Sequence, residues 1–197
     1  MQWLDERSGV SEAEARADAE FALVQAARAN AEAFTPLYQR YVDSIYRFCY
    51  RRLGTREEAE DATSVTFQKA LRSLGSFQRG SFRAWLFAIA DRTTLDRLRR
   101  GKREQPLEHA FLIPDRAQGP EEYALGADAR HRLREALASL TADQRRVIEL
   151  RLSGLDTAEI AQALERNRNA IDALQFRAVQ RLRQVLIDAH PEGLLDG

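Results

Sequence analysis

The spacing of apolar residues between Thr157 and Leu174 constrains the fold of this chain more than any other feature, because it is the spacing of a helix-turn-helix. The apolar positions of the two helices are Ile160, Ala161, Leu164, Ile171 and Leu174. The last two are spaced to pack back onto the first helix, and Ala161 is small, as a close crossing requires. The alternative is an ordinary helical hairpin with an arginine-rich surface.

The second helix of this motif has the polar start expected of a helix that reads DNA. A helix entering a major groove reads bases mainly with its N-terminal residues. The residues predicted to do so are Arg166, Asn167, Arg168, Asn169, Asp172 and Ala173. Arg177, Arg181 and Arg183 follow, and suit contacts with phosphates. Glu165 occupies the turn, where φ > 0 usually selects glycine, at a cost of roughly 1 kcal/mol.

Charge is unevenly distributed along a chain whose formal net charge is zero. Residues 1–35 carry a net charge of −4, residues 79–104 carry +5, and residues 165–183 carry +3. Two basic segments in a neutral chain indicate local contact with a polyanion.

The sequence contains no recognisable catalytic set. The single cysteine, Cys49, lies in an apolar helical pattern, which predicts a small buried side chain and excludes a disulfide within the chain. The histidines His109, His131 and His190 are not at metal-ligand spacing, and no phosphate-binding glycine loop or nucleophile elbow is present. We therefore expect no enzymatic activity, no metal and no cofactor. No apolar run approaches a membrane span and no signal-peptide pattern is present, so we expect a cytoplasmic protein without membrane insertion.

No β pattern occurs, and the sequence predicts an all-α fold of two small helical domains joined by a flexible linker. The predicted parts are an acidic helical extension over 1–29, a first domain over 30–103, a linker over 104–127 and a second domain over 128–190. Three prolines and two glycines interrupt the linker. The predicted helices run from about Ser11 to Asn30, Ala33 to Leu53, Thr55 to Leu74, Phe82 to Arg100 and Asp128 to Leu140, then from Thr141 to Gly154 and through the helix-turn-helix. Residues 1–9 and the segment after Leu186 are expected to be irregular.

Two surfaces have both a plain and a functional interpretation. The acidic first turns of the helix that Thr55 caps are either a solvated face or a docking surface for a basic partner. Trp85 lies beside a basic helix and the loop over Gly75 to Ser81. That segment is either core aromatics with a solvated basic face or a site for single-stranded nucleic acid, by stacking and phosphate contact.

Both halves resemble one family, the extracytoplasmic-function (ECF) group of bacterial sigma factors in the sigma-70 family. The first half resembles region two in AFTPLYQRYVDSIYRFCYRRLG, TREEAEDATSVTFQKALRSL and SFRAWLFAIADRTTLDRLRR. The second half resembles region four in SLTADQRRVIELRLSGLDTAEIAQAL and the reading helix after it. The resemblance covers roughly 30–103 and 128–186, and the 104–127 linker stands where larger sigma factors have a middle region.

The resemblance implies a subunit that binds core RNA polymerase and directs promoter recognition and transcription initiation. Polymerase would contact Glu58, Asp61, Ser64 and Gln68. The −10 element would be melted and held by Phe77, Gln78, Arg79, Phe82, Trp85, Arg92, Arg97, Arg99 and Arg100. The −35 element would be read by the helix from Arg166 to Arg177. The resemblance also implies an anti-sigma protein as a candidate partner, since such proteins commonly hold family members inactive.

The chain departs from the family pattern at several of these positions. Val65 stands where a glutamate is usual, and Asp91-Arg92 stands where Arg-Asn is frequent. Asp172 lies on the reading helix, where it can accept a hydrogen bond from cytosine and would repel phosphate. These departures leave two alternatives open: a stand-alone DNA-binding regulator that does not join polymerase, and a protein-interaction module whose DNA surface has decayed.

Overall fold

The computed structural model describes residues 5–78, 80–101 and 136–188, and these residues form helices and no strand. The α-helices are α1 (Asp5–Ala29), α2 (Thr35–Leu53), α3 (Arg56–Ser73), α4 (Phe82–Gly101), α5 (Ala142–Leu152), α6 (Thr157–Leu164) and α7 (Arg168–Asp188). Two short 3₁₀ helices, Ala31–Phe34 and Leu74–Ser76, precede α2 and follow α3. The predicted all-α class is confirmed, whereas the predicted linker over 104–127 lies outside the described residues.

The helix ends follow from the residues predicted to set them. Gly54, with φ 86°, closes α2, and the Thr55 side chain accepts a hydrogen bond from the backbone N–H of Glu58 to open α3. Thr141 and Gln144 form a reciprocal capping box at the start of α5.

The ends of the described chain are more helical than expected. The expectation of irregular structure over 1–9 is wrong for residues 5–9, which belong to α1. The single glycine of this segment, Gly9, does not end the helix, because an isolated glycine is tolerated inside a helix. Likewise, α7 continues through Ile187 to Asp188.

The first half of the chain packs α2, α3 and α4 around an aromatic centre. Its fully buried side chains include Leu37, Ile45, Phe48, Phe82 and Phe87. Helix α1 belongs to this packing, because Val24 and Ala27 are buried against it. The buried Glu20 carboxylate fixes α1 further by accepting hydrogen bonds from Tyr41 Oη and from Arg40, the latter at 3.1 Å.

The second half packs α5, α6 and α7 together, and its core continues into that of the first half. Val147, Leu150, Leu155, Ile160 and Ile171 are each at most 1% exposed and belong to the same hydrophobic cluster as the core of α2–α4. A smaller cluster holds Leu137, Leu140, Ile148 and Ala178 on the far side. The two predicted domains therefore meet across an extensive contact, in which α6 lies against α4.

Candidate nucleic-acid interface

Helices α6 and α7 form the helix-turn-helix that the sequence predicts. Ile160 and Ile171 are fully buried and Ala161 is 7% exposed, which confirms the packing of the two helices. Glu165 lies in the left-handed region with φ 54° and ψ 44°, as expected of the turn residue. Asn167 Oδ1 accepts a hydrogen bond from the backbone N–H of Ala170 at 2.8 Å, so Asn167 caps α7.

The start of α7 presents most of the predicted base-reading residues to solvent. Arg168, Asn169, Asp172 and Arg177 are exposed, whereas Ala173 is half-buried. Arg166 is exposed as well, and it donates to Asp143 Oδ2 at 2.7 Å. The free surface of the motif is therefore arginine- and asparagine-rich with one carboxylate in it, a set that can contact both base edges and phosphates.

The structure corrects the assignment of two aromatic residues to direct DNA contact. Phe77 is 3% exposed and Phe82 is fully buried, with their ring centroids 5.6 Å apart at 83°. Phe77 lies in the core beneath α1, with Phe21 at 6.4 Å, and Phe82 lies between Phe34 at 6.4 Å and Tyr41 at 5.8 Å. Trp85 is half-buried and lies over the pair, 5.4 Å from Phe77 and 5.5 Å from Phe82. The two phenylalanines therefore support Trp85, and the tryptophan is the aromatic ring that a base could reach.

The remaining residues predicted for the −10 element lie along α4 and the preceding loop. Gln78 is exposed, and Arg79 lies outside the described residues. Arg92 pairs with Glu165, and Arg97 donates to Asp61 Oδ2 at 2.6 Å. Arg99 and Arg100 are exposed in the last turn of α4. Trp85, Arg92 and Arg99 follow one another at intervals of seven residues and so lie along one side of α4, the basic face of this helix. Arg97, two residues before Arg99, lies on the opposite side, where it pairs with Asp61.

Arg28, which the sequence does not single out, fixes the loop next to this face. From the last turn of α1 it donates to the carbonyl oxygens of Leu74 at 3.0 Å, Gly75 at 3.4 Å and Phe77 at 2.5 Å. The only feature of the sequence around Arg28 that could have drawn attention to it is its place as the basic residue in the last turn of α1. The carbonyls it binds lie 46 to 49 residues further along the chain.

The four predicted polymerase contacts share one exposed face of α3. Glu58, Asp61, Ser64 and Gln68 are all exposed. Ser64 and Gln68 line a groove between α2 and α3 whose apolar lining includes Tyr38 and Leu71, which are 43% and 40% exposed. An apolar floor with a polar rim is typical of a protein-docking surface. Val65, where a family glutamate would stand, is half-buried and does not belong to the groove lining.

A buried ion cluster joins the two halves of the chain. Asp91 on α4 is 1% exposed and accepts hydrogen bonds from Arg52 on α2 and from Arg146 on α5, with Arg146 Nε 3.2 Å from both carboxylate oxygens. Arg52 Nε also lies 3.2 Å from Glu149 Oε2. Burial by itself would raise the pKa of Asp91, but Arg52 and Arg146 outweigh it and hold that pKa below its usual range. Burial raises the pKa of Glu149 despite the arginines.

Further polar contacts cross between the halves at the start of α4. Ser81 Oγ donates to Glu159 Oε1 at 2.7 Å, and Gln162 Nε2 donates to the Ser81 carbonyl at 3.3 Å. Both Arg83 and Arg51 bind Ser153, at its carbonyl (2.9 Å) and its hydroxyl (2.5 Å) respectively.

The two halves match two models of one family: sigma-70 region 2 over residues 37–104 and sigma-70 region 4 over residues 130–182. The chain belongs to the sigma-70 family. Its relatives place it in the ECF group of that family. Helices α2–α4 lie within sigma region 2, and α5–α7 contain the helix-turn-helix of sigma region 4.

Two relatives and one solved structure show how much of this chain is similar to known proteins. ECF RNA polymerase sigma factor BldN of Streptomyces coelicolor is 36% identical over 172 residues, which are 84% of this chain and 65% of BldN. ECF RNA polymerase sigma factor SigD of Mycobacterium tuberculosis is 32% identical over 74% of this chain and 73% of SigD. This sigma-70 chain thus spans less than two thirds of BldN. The structure of CnrH in complex with the cytosolic domain of CnrY is similar with a TM-score of 0.63 and 25% identity, over 86% of this chain and 97% of CnrH.

Three further predictions concern residues away from these surfaces. Cys49 is fully buried, as expected, and burial raises the pKa of its thiol to about 11. His109, His131 and His190 lie outside the described residues. Over the described ranges, no group of three or more histidine, cysteine, aspartate or glutamate side chains is placed to hold a metal ion. No helix in that same part of the chain is long and apolar enough to cross a membrane.

Proposed function

We propose that this protein is a sigma factor that binds core RNA polymerase in the cytoplasm and directs it to promoters. The observation that supports the proposal is the pair of surfaces that the two sigma-70 regions present to solvent. Sigma region 4 exposes the arginine- and asparagine-rich start of α7, and sigma region 2 exposes Trp85 at the head of a basic helix.

The −35 element is read by α7 in the major groove. Arg168 and Asn169 reach base edges from the first turn of α7. Both side chains are exposed, and it is Asn167, not either of these two, that caps the helix. Arg177 lies more than two turns further on and contacts phosphate. Asp172 disfavours phosphate and accepts from cytosine, so it restricts which bases are tolerated opposite that turn.

The −10 element is opened with the help of Trp85 and the basic face of α4. An extruded base needs an aromatic surface to replace the stacking that it loses, and Trp85 offers one face while Phe77 and Phe82 hold the other. Arg99 and Arg100, exposed in the last turn of α4, then give the freed strand positive charge, and Arg97 would join them only by leaving its pair with Asp61. Arg28 keeps the adjoining loop in place through its three carbonyl contacts.

Core polymerase docks on α3. The groove between α2 and α3 supplies an apolar floor at Tyr38 and Leu71, and Glu58 and Asp61 attract a basic partner at the start of the helix. CnrH, to which this chain is similar, is bound in its structure to the cytosolic domain of another protein, CnrY, and we propose that this chain likewise has a protein partner, the anti-sigma protein that the family resemblance implies.

The decisive experiment combines core polymerase with the purified chain. Core polymerase is pulled down with the chain, and the complex is then used for run-off transcription from the promoter of the chain's own operon. Ser64→Arg adds a bulky charge to the groove and should abolish the association, whereas Ser44→Arg makes the same change on an exposed position of α2 and should not.

A stand-alone regulator would give a different result. It would bind duplex DNA tightly without polymerase and with a steep dependence on salt. A folded chain that binds its site in this way, fails to associate with polymerase and supports no start-specific transcript would overturn the proposal.

A further inference from the structure

The contact between sigma region 2 and sigma region 4 is made in part by residues at which this chain departs from the family pattern. Asp91 and Arg92 occupy the position of a frequent Arg-Asn pair, and Glu165 occupies a usual glycine position. Asp91 binds Arg146 across the contact, and Arg92 binds Glu165 across it. Two separate departures thus give complementary charges on opposite sides of one interface.

The cluster is buried, and Asp91 at its centre accepts hydrogen bonds from two arginines, which distinguishes it from a surface salt bridge. The side chains of Asp91, Arg52 and Glu149 are at most 5% exposed, and that of Arg146 is 22% exposed. Pairs of this kind cost much when one partner is removed, because a charge is then left buried without compensation. By contrast, Arg92 and Glu165 have side chains that are 62% and 72% exposed, so their pair is worth little alone.

Apolar packing completes the same interface. Ile160 and Leu155 are at most 1% exposed and share one cluster with Phe82 and Leu86 of α4. The head of α4 is also bound to α6 through Ser81 and Glu159. The face of α4 that carries Arg92 is therefore held against the turn that precedes the reading helix.

This arrangement cannot engage both promoter elements, a step that rests on the proposed function. The −10 and −35 elements lie about 25 base pairs apart, or about 85 Å along B-DNA at about 3.4 Å per pair. The Arg92–Glu165 pair instead brings α4 to the turn before α7. The predicted linker of about two dozen residues spans at most about 80 Å when extended, so separation of the halves is sterically feasible.

We propose that the Asp91 cluster is an intramolecular lock, which holds the free sigma factor closed and must open before both promoter elements are bound. Arg146 is the residue of sigma region 4 that binds Asp91, and it can be replaced without changing sigma region 2. When Arg146 is replaced, Arg52 is left as the partner of both Asp91 and Glu149, so the closed contact buries one negative charge in excess. When the halves separate, Asp91 and Arg52 both stay within sigma region 2, so that region keeps its own ion pair.

The first test measures closure without polymerase or DNA. Donor and acceptor dyes are attached at Glu57→Cys on α3 and Gln180→Cys on α7, both exposed, while the buried Cys49 stays unlabelled. Arg146→Met should raise the ratio of low-transfer to high-transfer molecules about tenfold or more. Arg47→Met removes an equal charge from an exposed position of α2 and should leave the ratio unchanged. An unchanged ratio in Arg146→Met overturns the lock.

The second test closes the lock reversibly. Arg51→Cys and Ser153→Cys lie on facing sides of the contact and are joined by a bis-maleimide that contains a disulfide. The joined protein should lose start-specific transcription and regain it when dithiothreitol cleaves the bridge, and each single-cysteine variant should stay active throughout. Transcription by the joined protein at the uncrosslinked level would overturn the lock. Absence of transcription before joining and after cleavage would instead count against the proposed function, while the dye measurement still decides closure.

Discussion

Replacement of Trp85 by alanine should impair promoter opening far more than promoter binding. The indole is half-buried, with its ring centroid 5.4 Å from that of Phe77 and 5.5 Å from that of Phe82, so the part of the ring that stays exposed is the surface left for an extruded base. Alanine removes that surface and leaves the arginines of α4 in place. Phenylalanine keeps an aromatic face of smaller area.

The size of the effect follows from the stacking that is lost. Stacking of one base on an aromatic side chain is worth about 1–3 kcal/mol, which corresponds to about 5- to 150-fold in the equilibrium between closed and open complexes. Trp85→Phe should retain most of this and fall by about threefold. Trp85→Ala also uncovers the two phenylalanines and can therefore lower stability. Leu98→Ala, which removes another half-buried side chain of α4, is the control for a loss of thermal stability without loss of the aromatic surface.

Two measurements separate opening from binding. Permanganate reactivity of −10 thymines reports unpaired bases, and polymerase binding at a low temperature, where the DNA stays paired, reports recruitment. Equal losses of Trp85→Ala in both would refute the reasoning, as would a Trp85→Phe variant as defective as alanine. A normal opening step in Trp85→Ala would refute it outright.

Three further predictions concern other parts of the molecule. Arg168→Ala should weaken protection of the −35 element in footprints by about fivefold or more, since one base contact is worth about 1–3 kcal/mol, and an unchanged footprint would remove Arg168 from the reading set. Glu165→Gly should be more stable to urea than Glu165→Ala by about 1 kcal/mol, because both lose the exposed pair with Arg92 but only glycine relieves φ 54°; equal midpoints would contradict this. At pH 8 the Cys49 thiol should resist Ellman's reagent, because it is buried and its pKa is raised to about 11, whereas a cysteine placed at exposed Glu57 should react at once; comparable rates would show that the α2–α4 core opens readily.

The local parts of the fold were predictable because their signals lie within a few residues of each other. The spacing of apolar residues such as Ile160 and Ile171 predicted the helix-turn-helix. The positive φ of Glu165 followed from its place in the turn. Caps at Thr55 and Thr141 act over three residues, so sequence alone identified them.

The features that sequence reasoning missed all depend on distant pairings. Arg28 binds carbonyls 46 or more residues away, and Arg146 binds Asp91 across 55 residues. No periodicity records such partners. The roles of Phe77 and Phe82 were misassigned for a related reason, because an aromatic-rich loop without a repeat does not show which ring faces the core. Distant residues decide it: Phe21 packs against Phe77, and Phe34 and Tyr41 pack against Phe82.

The predicted tether between the two halves also determines how strong their contact has to be. A connection of about two dozen residues, the length that the sequence predicts, keeps each half near the other at an effective concentration of about millimolar. A contact that separate proteins would form only weakly can therefore dominate within one chain, and a single cut in the tether would remove that advantage. Protease cleavage between Gly101 and Ala136 should consequently release two fragments whose association depends on dilution, although not one bond of the interface has been altered.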